Sequence, residues 1–172
     1  GRNTRNASAT WPRDEGENDA GSEKSDPARD AVFSARDRHD EAVQRIRAVR
    51  SHRYRYIRNF MPERPFMAMH RYKESRYPVV PLLRSLHAAG KLSGPPLALM
   101  APRLPEEELY DSQADPHEVD NLTASSYPEH QRILREMRAA LDNWITETDD
   151  QVRFPESPAV VAYWREEMEK RF

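Results

Sequence analysis

A charged hexapeptide, RDRHDE, holds the densest set of chemically competent side chains in this sequence. Arginine can hold a sulfate, phosphate or carboxylate through paired hydrogen bonds, and a histidine beside it can donate a further hydrogen bond or carry a proton. We therefore take five of its residues as candidate substrate-binding residues: Arg36, Asp37, Arg38, His39 and Glu41. The alternative is a solvated turn whose charges pair internally.

Six arginines follow, interleaved with tyrosines and β-branched residues: Arg45, Arg47, Arg50, Arg53, Arg55 and Arg58. A basic face on which Tyr54 and Tyr56 stack against bases is typical of nucleic-acid binding. However, residues 31–84 carry a net charge of +8 and residues 85–172 a net charge of −8. We expect these parts to fold against one another, and we expect no nucleic-acid partner. A non-catalytic module that binds anionic glycans or nucleic acid stays open as the alternative function.

Acidic side chains and a histidine cluster in residues 111–120, where a metal site is conceivable. Their spacing departs from the D-x-[DN]-x-[DN]-G calcium loop, and no glycine is present for its turn. Asp115, Pro116 and Glu118 instead match a helix N-cap, a first helical residue and a capping box. Because the chain also lacks cysteine and a G-x-S-x-G elbow, we assign no catalytic residue and no metal ligand within it.

The elements that must position these groups follow from composition and periodicity. Residues 1–30 are polar and without period, which predicts a disordered arm or linker, and residues 31–172 form the domain. We predict strands at Ala31–Ala35, Gln44–Arg50, Arg53–Asn59 and Glu108–Asp111, the middle two as a hairpin with Tyr54 and Tyr56 on one face. RDRHDE and Met61–Pro78 are predicted as loops.

Helices are predicted at Val79–Gly90, with an apolar stripe from Leu82 to Ala89, at Pro128–Thr148, and from Ser157 onwards. Ser93–Pro105 is too rich in proline for a central strand. These elements predict an α+β fold, a small antiparallel sheet with packed helices. No apolar run approaches the roughly 18–20 residues that a membrane span needs.

Two segments resemble the C-terminal part of sulfatases, in the branch related to N-sulfoglucosamine sulfohydrolase, the heparan N-sulfatase. The family pattern R-A-V-R-x-x-R-Y-K-Y-I is matched by Ala48–Arg50 and Arg53–Ile57, with Arg55 where lysine is usual. The pattern E-L-Y-D-L-x-x-D-P-x-E-x-x-N-L is matched by residues 108–122, with Ser112 where leucine is common.

This resemblance covers residues 32–144 and implies the smaller C-terminal subdomain of an alkaline-phosphatase-like enzyme. Such enzymes hydrolyse sulfate esters or sulfamates with a formylglycine, made from the cysteine or serine of a C/S-x-P-x-R motif, and with a calcium ion. We expect that motif and the calcium ligands in an N-terminal catalytic domain, so the chain alone is expected to lack the motif and to be inactive. The resemblance also implies a sulfated carbohydrate substrate beside Arg36–Glu41, and a periplasmic or secreted location.

Overall fold

The computed structural model describes residues 31–172, so the arm expected at residues 1–30 lies outside the described residues. Within residues 31–172, one antiparallel sheet has the order β1-β2-β3-β4. Its strands are Val32–His39, Ala42–Arg50, Tyr54–Asn59 and Glu107–Asp111. The helices α1 to α5 are Arg71–Arg76, Val79–Ala88, Gly94–Leu99, Pro128–Glu147 and Pro158–Arg171. The predicted α+β class is confirmed.

Strands β2 and β3 form the predicted hairpin, and Tyr54 and Tyr56 share one face as expected. Val49 lies opposite Tyr56 in an antiparallel ladder. Tyr54 and Tyr56 are buried on one face, whereas Arg55 and Ile57 on the other face are half-buried. Alternation along a strand therefore separates the aromatic side chains from their arginine neighbours.

The hydrophobic core lies between this sheet and helix α4. The helix contributes a buried stripe at helical spacing: Ile133, Leu134, Met137, Leu141 and Ile145. The sheet meets this stripe with Val49, Tyr56 and Leu109, each fully buried. Burying an apolar side chain of this size contributes about 1.5–3 kcal/mol. The edge strand β1 is tied to α4 by the stacked rings of Phe33 and Trp144, whose centroids are 5.3 Å apart.

Strand β1 is longer than predicted and includes most of the hexapeptide expected as a loop. It continues to His39, and only two residues separate it from β2. Arg36 pairs with Ile46 and Arg38 with Val43, so three residue steps in β2 oppose two in β1 and β2 carries a bulge. The loop prediction for Arg36–His39 is wrong, because charges that disfavour a strand locally find partners elsewhere in the fold.

Helices α1 and α3 were missed, and α2 is placed differently from its pattern. Residues 71–76, predicted as loop, form α1, and the proline-containing segment Gly94–Leu99 forms α3. Helix α2 ends at Ala88, and Gly90 takes φ +65° just beyond, as a glycine stop requires. Its expected core stripe is not buried, since Leu82 is 54% exposed and Val80 is the buried residue.

The segment after β4 is a turn and not the predicted helix start. Oδ2 of Asp115 accepts hydrogen bonds from the backbone N–H groups of Val119 at 2.6 Å and Asp120 at 2.8 Å. Glu118 takes φ +52°, which is incompatible with helix, and its carboxylate pairs with Arg50 and Arg55 of the hairpin. Tertiary ion pairs therefore prevail over the local capping-box pattern.

The remaining residues of the second sulfatase-like pattern are also structural. Oδ1 of Asn121 accepts from the backbone N–H groups of Leu109 and Thr123, and its Nδ2 donates to the carbonyl of Glu107. Asp111 accepts from Arg53 at 2.8 Å. Burial opposes ionisation of Asp111, but hydrogen bonds from Arg53 and from two backbone N–H groups hold its pKa below the usual value.

Candidate functional site

The candidate site is the tip of the β1–β2 hairpin together with the start of α1. The chain reverses at Asp40 and Glu41, and Asp40 takes φ +51°, a left-handed conformation that aspartate tolerates. This reversal holds His39 at the end of β1, directly opposite Ala42 at the start of β2. A short hairpin tip on a paired ladder fixes side chains more firmly than the long loop that we predicted.

Two of the five predicted site residues make internal ion pairs. The carboxylate of Asp37 lies 2.9 Å from the guanidinium of Arg47, and Nε of Arg38 donates to Oε1 of Glu156 at 2.9 Å. Arg38 also donates to the carbonyl of Asp40 at 2.8 Å, which braces the turn. These contacts fit the alternative of internal pairing that the hexapeptide left open.

Arg36 and His39 have a different environment. No carboxylate among residues 31–172 lies within ion-pair distance of the half-buried Arg36 side chain, and the His39 side chain is exposed. Glu41 turns inward, and its Oε1 accepts from the backbone N–H of Arg71 at 2.6 Å. Within the hexapeptide, Arg36 and His39 are therefore the side chains that can still donate hydrogen bonds to an anionic ligand.

A buried histidine that the sequence did not reveal completes the site. His70 is 2% exposed, its ring centroid lies 4.4 Å from that of His39, and its Nε2 lies 3.5 Å from Oδ2 of Asp40. Nδ1 of His70 accepts from the backbone N–H of Lys73 at 3.4 Å, which caps α1. Histidine is not among the favoured capping residues, so no local pattern pointed to this role.

The electrostatics of this cluster favour a neutral His70. Burial lowers the pKa of His70, the positive potential of His39 lowers it further, and the carboxylates of Glu41 and Asp40 oppose the change only in part. Nε2 of His70 and Oε2 of Glu41 are both buried without a hydrogen-bond partner. The candidate site therefore contains two buried polar atoms without a hydrogen-bond partner, a carboxylate oxygen at the hairpin tip and a ring nitrogen at the start of α1.

The arginine-rich hairpin does not present the basic surface of a polyanion binder. Its arginines contact carboxylates or carbonyls of the acidic C-terminal part, as in the pairs Arg47–Asp150, Arg58–Asp142 and Arg55–Glu118. Tyr54 and Tyr56 are buried and not placed to stack on bases. The expectation that the basic and acidic parts fold against one another is confirmed.

The acidic groups of residues 111–120, considered above as a metal site, serve the fold. Asp111 is held by Arg53, Asp115 closes its own turn, and Glu118 pairs with the hairpin arginines. Among residues 31–172, three potential ligand atoms that all lie within 4.8 Å of one another are instead found at His39, Asp40 and His70. No helix in that range is both long and apolar enough to span a membrane.

Comparison with known proteins relates the chain to sulfatases and confirms the resemblance at that level. One similar protein is the Ulvan-active sulfatase of Formosa agariphila, 39% identical over 136 residues, which are 79% of this chain and 22% of that protein. No family model matches the chain.

Two solved structures are also similar to the chain, each with 24% identity and a TM-score of 0.46. One is a 2-O GAG sulfatase, aligned over 78% of this chain and 20% of that one. The other is a Bacteroides thetaiotaomicron protein described as a sulfatase, aligned over 81% of this chain and 21% of that one. The chain spans about a fifth of the length of the proteins it matches.

The expectation about the C/S-x-P-x-R motif needs correction from the sequence itself. The chain was expected to lack the C/S-x-P-x-R motif, yet Ser25-Asp26-Pro27-Ala28-Arg29 matches its serine form. The match fixes only three residue types, and it lies in residues 1–30, outside the described residues. The absence of cysteine excludes only the cysteine form of the motif from this chain.

Proposed function

We propose that this chain is the C-terminal portion of a sulfatase that hydrolyses sulfate esters or sulfamates of a sugar. The observation that carries the proposal is the 39% identity with the Ulvan-active sulfatase over most of the chain. The residues that match the sulfatase-like patterns are mainly structural, as with Asn121 and Asp111, so they mark the subdomain and not the chemistry. Sulfate-ester cleavage is assigned to a catalytic domain that contains the formylglycine and the calcium ligands.

The apolar surface of the chain supports such a partner domain. Val79 and Leu82 on α2 and Leu97 and Leu99 on α3 are each at least 40% exposed. Large apolar side chains that stay exposed on the surface of a protein, when they form a continuous patch, are typical of a surface that packs against further protein. In this proposal that protein is the N-terminal catalytic domain of the same enzyme.

The role proposed for the hairpin tip is to position a sulfated sugar. Arg36 offers a guanidinium without a carboxylate partner among the described residues, and His39 offers an exposed ring three residues further along the same strand. A guanidinium fits a sulfate group through two parallel charge-assisted hydrogen bonds. Asp37, Arg38 and Glu41 belong to the same proposed stretch and brace the strand and the turn that hold these two side chains.

The substrate class is narrowed by the two sequence patterns described above. They favour the branch of N-sulfoglucosamine sulfohydrolase, whose substrate carries sulfate on nitrogen, whereas the relative's name gives ulvan. The two substrate classes are distinguished by measuring how fast the longer enzyme releases sulfate from an N-sulfated disaccharide and from an O-sulfated disaccharide of otherwise equal structure. Faster release from the N-sulfated sugar supports that branch, and the opposite order assigns the enzyme to ester hydrolysis.

The coding sequence upstream of Gly1 tests the proposal as a whole. We expect the same reading frame to encode a C/S-x-P-x-R motif several hundred residues before Gly1, because the chain spans about a fifth of its relatives. Mass spectrometry of the longer protein then checks for conversion of that cysteine or serine into formylglycine. A stop codon or an unrelated coding sequence directly upstream would contradict the proposal.

A further inference from the structure

We infer that His39, Asp40 and His70 form a binding site for a divalent first-row transition-metal ion such as Zn²⁺. The potential ligand atoms of these three residues all lie within 4.8 Å of one another. His39 and Asp40 lie at the hairpin tip, and His70 lies at the start of α1. The inference does not depend on the sulfatase proposal.

The strongest support comes from the orphaned nitrogen of His70. The ring is 98% buried, and its Nε2 has no hydrogen-bond partner, although a buried polar atom without a partner destabilises the fold. A cation could bind this nitrogen once its proton has moved to Nδ1. Ligands on two elements that the fold itself brings together are also typical of a metal site.

The distance between His70 and Asp40 fits metal coordination better than it fits a hydrogen bond. Nε2 of His70 and Oδ2 of Asp40 are 3.5 Å apart and make no hydrogen bond. Two ligands of a tetrahedral zinc ion, with bonds of about 2.0–2.1 Å, are about 3.4 Å apart. The exposed His39 can turn about its side-chain bonds to reach the third position, which leaves a fourth open to water or another ligand.

The donor set determines which class of ion fits. Two imidazoles and one carboxylate suit zinc and its first-row neighbours, whereas calcium and magnesium prefer oxygen ligands throughout. The acidic side chains of Asp40 and Glu41 favour a cation here, and the ammonium group of Lys73 and the positive potential of His39 oppose it.

Metal binding would change the tautomer of His70, and this change gives a specific signature. Without metal, Nδ1 accepts the long 3.4 Å hydrogen bond from the N–H of Lys73, so the ring proton lies on Nε2. A metal bound at Nε2 requires the proton on Nδ1 instead, and the cap of α1 must then be released. The tautomer therefore distinguishes metal coordination from a cluster held together only by electrostatics.

The experiment is a calorimetric titration of Zn²⁺ into the 172-residue chain at neutral pH in a non-chelating buffer. We expect one ion per chain, with an affinity at least about tenfold weaker in His39→Ala and in Asp40→Asn. Asparagine also tolerates the φ of +51° at Asp40, so the turn is retained. The matched control is His52→Ala, an exposed histidine at the opposite end of strand β2, which should leave the affinity unchanged.

Nitrogen-15 NMR of the histidine rings provides the second measurement. We expect the proton of His70 on Nε2 in the chain alone and on Nδ1 once Zn²⁺ saturates it. Equal affinities of the wild type, His39→Ala and Asp40→Asn would overturn the inference, as would an equal loss in the His52→Ala control. A His70 ring that keeps its proton on Nε2 at saturating Zn²⁺ would also overturn it.

Discussion

Nε of Arg47 donates hydrogen bonds of 3.0 and 3.1 Å to the two carboxylate oxygens of Asp150, a residue 103 positions further along the chain. Arg47 lies in the middle of strand β2 and is 2% exposed, and Asp150 follows helix α4. Asp37 of β1 pairs with the same guanidinium from its other side. One buried arginine thus connects the edge strand, the hairpin and the acidic C-terminal part.

We predict that Asp150→Asn lowers the free energy of unfolding by about 3 kcal/mol, because it leaves a buried guanidinium without its best partner. Asparagine can keep the hydrogen bond that Asp150 accepts from the N–H of Val152, so the loss reports the charge. The matched variant Asp37→Asn should cost less than about 1 kcal/mol, since that carboxylate is 49% exposed. Urea unfolding of the three proteins at neutral pH measures the difference, and equal losses would contradict the role given to Asp150.

We predict that His70 makes the stability of the chain depend on pH. Burial lowers the pKa of His70 in the folded chain below its usual 6.5, so below about pH 6.5 the unfolded chain binds a proton that the folded chain does not. The contribution of this group to stability is therefore complete above that pH and is lost as the pH falls through the folded pKa.

The variant for this test is His70→Asn, because asparagine is a good helix cap and does not titrate. We expect the wild type to lose stability relative to His70→Asn as the pH is lowered from about 7.5 to about 5, in the range where histidine titrates. Thermal unfolding in the absence of metal ions follows the difference. A wild type and a variant whose melting temperatures fall in parallel would show that His70 is not the titrating group.

We predict that Arg36 and His39 affect substrate use in the longer enzyme more than they affect its stability. Alanine at either position should lower kcat/KM by about 10-fold to 100-fold, the range expected when a hydrogen bond to a charged group is lost. Arg50→Ala and His52→Ala, at the other end of strand β2, are the controls and should leave kcat/KM unchanged. If kcat/KM of the Arg36 and His39 variants stays the same while the melting temperature falls, the hairpin tip is structural.

Segments whose order comes from local periodicity were predictable from the sequence. Strand β3 alternates buried and half-buried residues from Tyr54 to Ile57, at the period of a strand, and α4 repeats apolar residues at helical spacing. Both patterns mark the face that packs against the core, so the sequence alone is enough to place these elements. The glycine stop at Gly90 likewise follows from backbone geometry alone.

Segments whose conformation depends on distant charges were not predictable. Arg38 lies in strand β1, and its ion-pair partner Glu156 is 118 residues further along the chain. Glu118 adopts a left-handed backbone conformation, and its carboxylate pairs with Arg55. His70 contacts His39, 31 positions earlier, from a segment that was predicted as a loop. The sequence around each of these residues contains none of these partners, so the local pattern favoured a loop at Arg38 and a helix at Glu118.

Release of inorganic sulfate from a sulfated oligosaccharide tests the proposed function most directly. We predict turnover by the protein extended upstream through its catalytic domain, and none above the buffer control by the 172-residue chain or its Ser25→Ala variant. Turnover by the 172-residue chain that disappears in Ser25→Ala would contradict the account, because the motif at Ser25 would then be catalytic. An extended, formylglycine-containing protein that releases no sulfate from either N-sulfated or O-sulfated sugars would contradict it equally.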